Sequence, residues 1–215
     1  MGGSSPVSVA ADGLTSIWDQ NVQVYASYPA ASIAETVVAR WVLALPGLPA
    51  SAGVGFTTGT QMANFTALSV ARNSVLRDHG WNMEADGLQG APPIRVLCGE
   101  CCHATIHSAV SMMGLGARNI RLIQADEEGR IRLDAIRREI EACTGPAIAC
   151  VQAGNVNPGA FDPIEEIIGL TRNRGIWVHV DGAFGLWAAA SPRFRHLVSG
   201  RRRGGFLGDG RPQMV

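Results

Sequence analysis

Ile176-Trp-Val-His-Val-Asp-Gly-Ala-Phe-Gly185 carries the clearest architectural signal in the chain. Residues Ile176–Val180 are β-branched or aromatic apart from His179, and they read as a buried strand. The strand runs straight into Asp181, and Gly182 and Gly185 then turn the chain sharply. A carboxylate at the carboxyl end of a buried parallel strand lies where open α/β sheets hold their ligands. In a dry crevice that charge is costly unless something cationic meets it.

Working outward, the chain alternates strand and helix. Ala147–Val151 reads as a strand and Pro163–Arg174 as the helix leading into Ile176. Before them come a strand at Ile94–Cys98, a helix at His103–Met113 closed by Gly114, and a strand at Ile120–Ile123. Asp126–Arg130 reads as a turn and Leu133–Cys143 as a charged amphipathic helix. Further back, Val54–Thr57 reads as a short strand and Gln61 to Arg77 as a long helix, with Ala63, Leu68, Ala71 and Val75 along one stripe. Ser32, with Glu35 three residues on, suggests a capping box opening a helix that stops at Pro46-Gly47. Residues 1–30 are small and polar, a lead-in with a weak apolar rhythm at Trp18, Val22 and Tyr25. Strands and helices alternating over short connectors imply an α/β fold with a mostly parallel sheet flanked by helices.

Composition narrows the function. The 215 residues are 47% apolar and 17% charged, which suits one sizeable globular core. Net charge is zero, so nothing global points to nucleic acid or to an anionic membrane. No apolar run approaches the ~18 residues of a membrane span, and no signal peptide is expected. Five cysteines, an odd number with two adjacent, favour reduced thiols in a cytoplasmic protein.

Three further stretches follow strands. Thr58-Gly-Thr-Gln61 breaks a strand into glycine and hydroxyl residues before a helix, an arrangement that offers free N–H groups to a phosphate or is an ordinary turn. It is neither a dinucleotide fingerprint nor a Walker loop, so a nucleotide-binding domain is disfavoured. His103 opens a helix, with His107 one turn on, and is either a structural histidine or a side chain placed flat against a planar ligand. Cys98, Cys101, Cys102, His103 and His107 are packed too tightly to imitate a zinc finger, which needs about 12 residues between its ligand pairs; no metal is expected. Gln152–Gly159 is an amide-rich loop, suited to polar ring substituents or to an Asx-type turn.

Together these place a phosphate binder, an imidazole, an amide loop and a carboxylate at successive strand ends. Thr57-Thr-Gly-Thr-Gln-Met-Ala-Asn-Phe-Thr-Ala-Leu68, His103-Ala-Thr105, Gly154-Asn-Val-Asn-Pro-Gly-Ala-Phe-Asp162 and His179-Val-Asp-Gly-Ala-Phe-Gly185 carry a resemblance. The chain resembles the pyridoxal-phosphate-dependent group II amino-acid decarboxylases, relatives of glutamate and aromatic-amino-acid decarboxylases. The resemblance runs from about Gly2 to Gly200 and implies the large domain of a type-I pyridoxal-phosphate enzyme. It implies that Asp181 partners the pyridine nitrogen and keeps it cationic, making the ring an electron sink. It implies that His103 stacks on one ring face with Ala183 near the other, and that Thr60 and Gln61 hold the phosphate. The Asn155–Asn157 loop would lie near the ring substituents, with Asn155 the candidate contact. The substrate would be an amino acid, a small molecule, and the intact family is expected to be homodimeric.

One part is missing. The family's Schiff-base lysine should follow the Asp181 motif directly after a histidine, yet the chain contains no lysine. Arginine stays protonated and cannot replace it. Read one base out of frame, Gly205 to Val215 can give Asp-Ser-Trp-Ala-Thr-Asp-(Gly/Ala)-His-Lys-Trp-Leu. The tryptophan from Met214-Val215 is forced, and the Gln213-Met214 junction allows only lysine or arginine. The expectation is a lead-in at 1–30, a partial cofactor domain at 31–199, and a frameshifted tail at 200–215 that leaves the chain inactive. The Arg201–Arg203 run then loses its meaning as a nucleic-acid patch. The alternatives are another enzyme of the same fold type, such as an aminotransferase or aldehyde-releasing lyase, or a non-catalytic relic that binds cofactor or a partner subunit.

Overall fold

The computed structural model describes residues 3–18 and 24–199. Val22 and the 200–215 tail, with the alternate frame read in it, lie outside the described residues. The chain divides into two units, Met1–Val42 and Leu43–Val215. The first holds α1 (Pro6–Trp18) and most of α2 (Pro29–Ala44), and every residue of α1 is exposed. α2 starts at Pro29, so Ser32 lies inside it and is not a cap. A proline at the first helical position loses no hydrogen bond and arrives with its φ already helical.

The described residues of the second unit are built on four parallel strands, β1 (Arg95–Gly99), β2 (Ile120–Ile123), β3 (Ala147–Gln152) and β4 (Trp177–Asp181). They lie in the order β2-β1-β3-β4. Strand alternation sorts their side chains onto two cores. Val96, Cys98, Ile148, Cys150 and Trp177 face one side, where α3 (Thr60–Asp78) and α5 (Ala104–Met112) cover them with Leu68, Ala71, Val75, Ile106 and Val110. Leu97, Ala149, Val151 and Val178 face the other, under α6 (Leu133–Glu141) and α7 (Ile164–Thr171) with Ile136, Ile140, Ile164 and Ile167. A short helix, α4 (Met83–Asp86), follows α3.

The chain leaves β1 for β2 on one side and then crosses to β3 on the other, so the strand order reverses between β1 and β3. The carboxyl ends of strands at such a switch point bound an open crevice. The expected elements are present there with shifted ends. β1 and β4 each run one residue later than the apolar runs suggest, making Asp181 the last strand residue, paired with Gln152. α6 and α7 stop short of Cys143 and Arg174. Val54–Thr57 is not a strand. Most of that glycine-flanked segment is exposed, and no strand of the described sheet pairs with it.

Candidate active site

Three loops meet at the carboxyl edge. Glycines allow it. Gly185 N–H donates to Ala153 O at 2.8 Å, and a Cβ on Gly185 would collide with that carbonyl. Gly154, at φ 84°, would place a Cβ 2.9 Å from the Gly185 Cα. The loops after β3 and β4 therefore touch backbone to backbone, an approach that only residues lacking a Cβ permit. Ala153 N–H also donates to Asp181 O at 2.8 Å. Asp162, missed in the sequence, clamps the next layer by accepting from the N–H groups of Gln152 (2.7 Å) and Ile131 (2.8 Å). Burial raises its pKa.

Asp181 is 8% exposed. Its Oδ1 accepts from Ala183 N–H at 3.2 Å and its Oδ2 from the Asn64 side chain at 3.2 Å. Both donors are neutral, and among the described residues no ion pair involves Asp181. Its titratable neighbour on the strand, His179, is 6% exposed, and burial lowers its pKa to about 4. His179 is therefore neutral near pH 7. Trp177, His179 and Asp181 share the α3 face of β4, which sets imidazole and carboxylate side by side.

Asn64 joins these groups. Its Oδ1 lies 2.9 Å from His179 Nε2, and its Nδ2 donates to Asp181 and, at 2.9 Å, to Thr105 Oγ1. With one lone pair of Thr105 so occupied, its hydroxyl hydrogen is free for His103 Nδ1, 2.9 Å away, and the Thr105 N–H reaches the same nitrogen at 3.3 Å. Nδ1 is an acceptor on this pattern, so neutral His103 carries its proton on Nε2. His103 is itself the N-cap of α5 and is exposed. One continuous network thus runs from Asp181 through Asn64 and Thr105 to His103.

Thr60 and Gln61 form the first turn of α3. Gly59 before them gives no side-chain cap, and its carbonyl takes the N–H groups of Met62 and Ala63. The first N–H groups of a helix have no partner within it and carry the positive end of its dipole. Gln61 reaches across to Thr105 O at 3.4 Å, tying this turn to the His103 loop. Asn155 is spent on structure: its Nδ2 donates to Cys101 O at 3.0 Å and its Oδ1 accepts from Asn157 N–H at 2.9 Å, an Asx turn. Ala183 is exposed beside Asp181.

Behind His103 lies a sulfur cluster. Cys102 Sγ stands 3.2 Å from Cys98 Sγ and 3.3 Å from His107 Nε2. The hydrogen bonds with Cys98 and His107 lower the Cys102 thiol to about 7, whereas the same bond and burial push Cys98 up. All five cysteines are free thiols.

Known proteins share this architecture. The family model described as pyridoxal-dependent decarboxylase conserved domain matches residues 1–203. Cysteine sulfinic acid decarboxylase of Homo sapiens is 29% identical over 205 residues, 94% of this chain and 41% of that protein. The 4-hydroxyphenylacetaldehyde synthase of Rhodiola rosea is 31% identical over 183 residues, 82% of this chain and 37% of its own. The apo structure of mouse CSAD matches with a TM-score of 0.85 at 29% identity, over 95% of this chain and 43% of that one. The chain spans less than half the length of these relatives. It belongs to the pyridoxal-dependent decarboxylase family.

Proposed function

We propose that this chain is the cofactor-holding portion of a pyridoxal 5'-phosphate-dependent amino-acid decarboxylase, a carboxy-lyase acting on a small-molecule amino-acid substrate. The observation that carries the reading is Asp181, a buried carboxylate whose hydrogen-bond donors are neutral and which has no cation of its own among the described residues. Buried charges are ordinarily paired. A protonated pyridine nitrogen supplies the missing charge, and the uncapped first turn of α3 suits the phosphate of the same molecule. When bound, pyridoxal phosphate supplies a ring that takes up the electrons released as a substrate carboxylate leaves as carbon dioxide.

The chain's own residues do the rest. Asp181 holds a proton on the pyridine nitrogen, and Asn64 and Ala183 orient the carboxylate. His103, with Nδ1 fixed by Thr105, offers its exposed ring and Nε2–H to cofactor and substrate. Thr60 and Gln61 receive the phosphate, Ala183 leaves room for the ring, and Asn155 holds the neighbouring loop in shape. The chain has no lysine, so its part is non-covalent. The partial cofactor domain at 31–199, the frameshifted tail at 200–215 and a homodimer in the intact protein belong to the same proposal. So does a cytoplasmic setting, which the five free thiols support. No helix among the described residues is long and apolar enough to cross a membrane.

Carbon dioxide release from L-cysteine sulfinate, aromatic L-amino acids and L-2,4-diaminobutyrate tests the reading. The assay compares the 215-residue chain with the coding sequence read on in the restored frame, each with pyridoxal phosphate added. The proposal predicts no turnover by the first and turnover of one substrate class by the second. Turnover by the lysine-free chain would contradict it, as would a folded, cofactor-loaded restored form that releases nothing.

A further inference from the structure

We propose that Cys98, Cys102 and His107 form a binding site for a thiophilic d10 metal ion, Zn2+ in the first instance. Their three donor atoms all lie within 4.8 Å of one another. Cys102 Sγ is central, 3.2 Å from Cys98 Sγ and 3.3 Å from His107 Nε2. Tetrahedral zinc, with bonds of about 2.3 Å to sulfur and about 2.0 Å to nitrogen, sets two sulfurs about 3.8 Å apart and a sulfur and a nitrogen about 3.5 Å apart. Cys98 Sγ to Cys102 Sγ needs to widen by about 0.6 Å and Cys102 Sγ to His107 Nε2 by about 0.2 Å, while Cys98 Sγ to His107 Nε2, within 4.8 Å, closes to about 3.5 Å.

The fold explains the convergence. Cys98 is buried near the end of β1, paired with Leu122 of β2 on one side and with Cys150 of β3 on the other. A tight turn, closed by Cys102 N–H to Gly99 O at 2.9 Å, brings Cys102 back over Cys98. His107 sits one turn into α5, which packs on α3 over the same core. Sequence spacing concealed the site, because zinc-finger ligand pairs come from distant segments, whereas here a strand, a turn and a helix bend one short segment onto itself. Cys101, which suggests a Cys-x-x-Cys pair, is exposed and outside the cluster.

Cys102 and His107 are half-buried, so the ion can enter from the surface. Binding releases the two thiol protons to solvent and uses the neutral imidazole through Nε2. Three protein ligands leave a fourth position open. The ion would tie the end of β1 to α5 across the loop that carries His103.

The test needs neither cofactor nor turnover. The reduced 215-residue chain is titrated with Zn2+ against a chromophoric chelator, and with Co2+ while thiolate-to-metal charge transfer is followed. One saturable ion per chain is expected, with a tetrahedral Co2+ spectrum. Cys102→Ser and His107→Ala should each weaken binding about tenfold or more, while Cys101→Ser and Cys143→Ser leave it unchanged. Circular dichroism checks each fold, and the wild-type Co2+ spectrum stands even if a variant unfolds. Absence of a charge-transfer band in the wild type, or binding that depends on Cys101 or Cys143, would overturn the proposal.

Discussion

At the scale of single residues, Asn64 matters most among those the sequence did not single out. Its amide satisfies Asp181, Thr105 and His179 together. Asn64→Ala leaves buried polar groups without partners, at a cost of about 1–3 kcal/mol, read as a lower urea midpoint. His179 gives a pH signature. Its folded pKa of about 4 lies below its unfolded value of about 6.5, so between them the unfolded chain binds more protons. Its contribution is complete above the unfolded value and is lost as pH falls through the folded one. Urea midpoints of the wild type should fall between about pH 7 and about pH 4.5, and His179→Gln should flatten that fall; an unchanged slope would show that His179 does not set it. The sequence marks Asp181 because it closes an apolar run, and His103 because it opens a helix. It does not mark Asn64 and His179, because their partners lie 117 and 115 residues away and no local pattern marks a polar side chain as aimed across a core.

At the scale of elements, the carboxyl edge depends on the Gly154–Gly185 contact. Gly185→Ala forces the Ala153 carbonyl aside and should cost about 2–3 kcal/mol, as overpacking does. Gly145→Ala, where nothing lies within 4 Å of the added carbon, should change the urea midpoint little. Equal effects would mean that the loops do not meet as described. The alternation of strands and helices from Ile94 onward could be read directly, since β-branched runs and amphipathic stripes differ in period. Val54–Thr57 has the composition of a strand without being one, because β-propensity describes a half-buried pleated surface and that segment has no strand of the described sheet beside it. α1 went unseen for a related reason: its small and polar residues show no buried stripe, and none of them is buried.

At the scale of the molecule, a sheet covered on both faces reverses its strand order between β1 and β3, and hydrogen bonds join Asp181, Asn64, Thr105 and His103 at its carboxyl edge. The sequence marks the carboxylate, the imidazole and the helix terminus as candidates, but the network joining them has no local signature. The missing lysine belongs to this scale too. Sequencing the coding DNA should show His-Lys-Trp in the alternate frame across Pro212 to Val215; any other reading there rejects the frameshift. Everything proposed for the site requires that Asp181 and its neighbours hold pyridoxal phosphate without a covalent bond. Equilibrium binding of pyridoxal 5'-phosphate to the 215-residue chain and to Asp181→Asn, both shown folded by circular dichroism, measures this without turnover. Saturable, dialysable binding is expected, weakened about tenfold or more by Asp181→Asn, the effect of removing an opposite charge at close range. Equal affinity in the two proteins, or no binding by the folded wild type, would mean that Asp181 does not hold the cofactor.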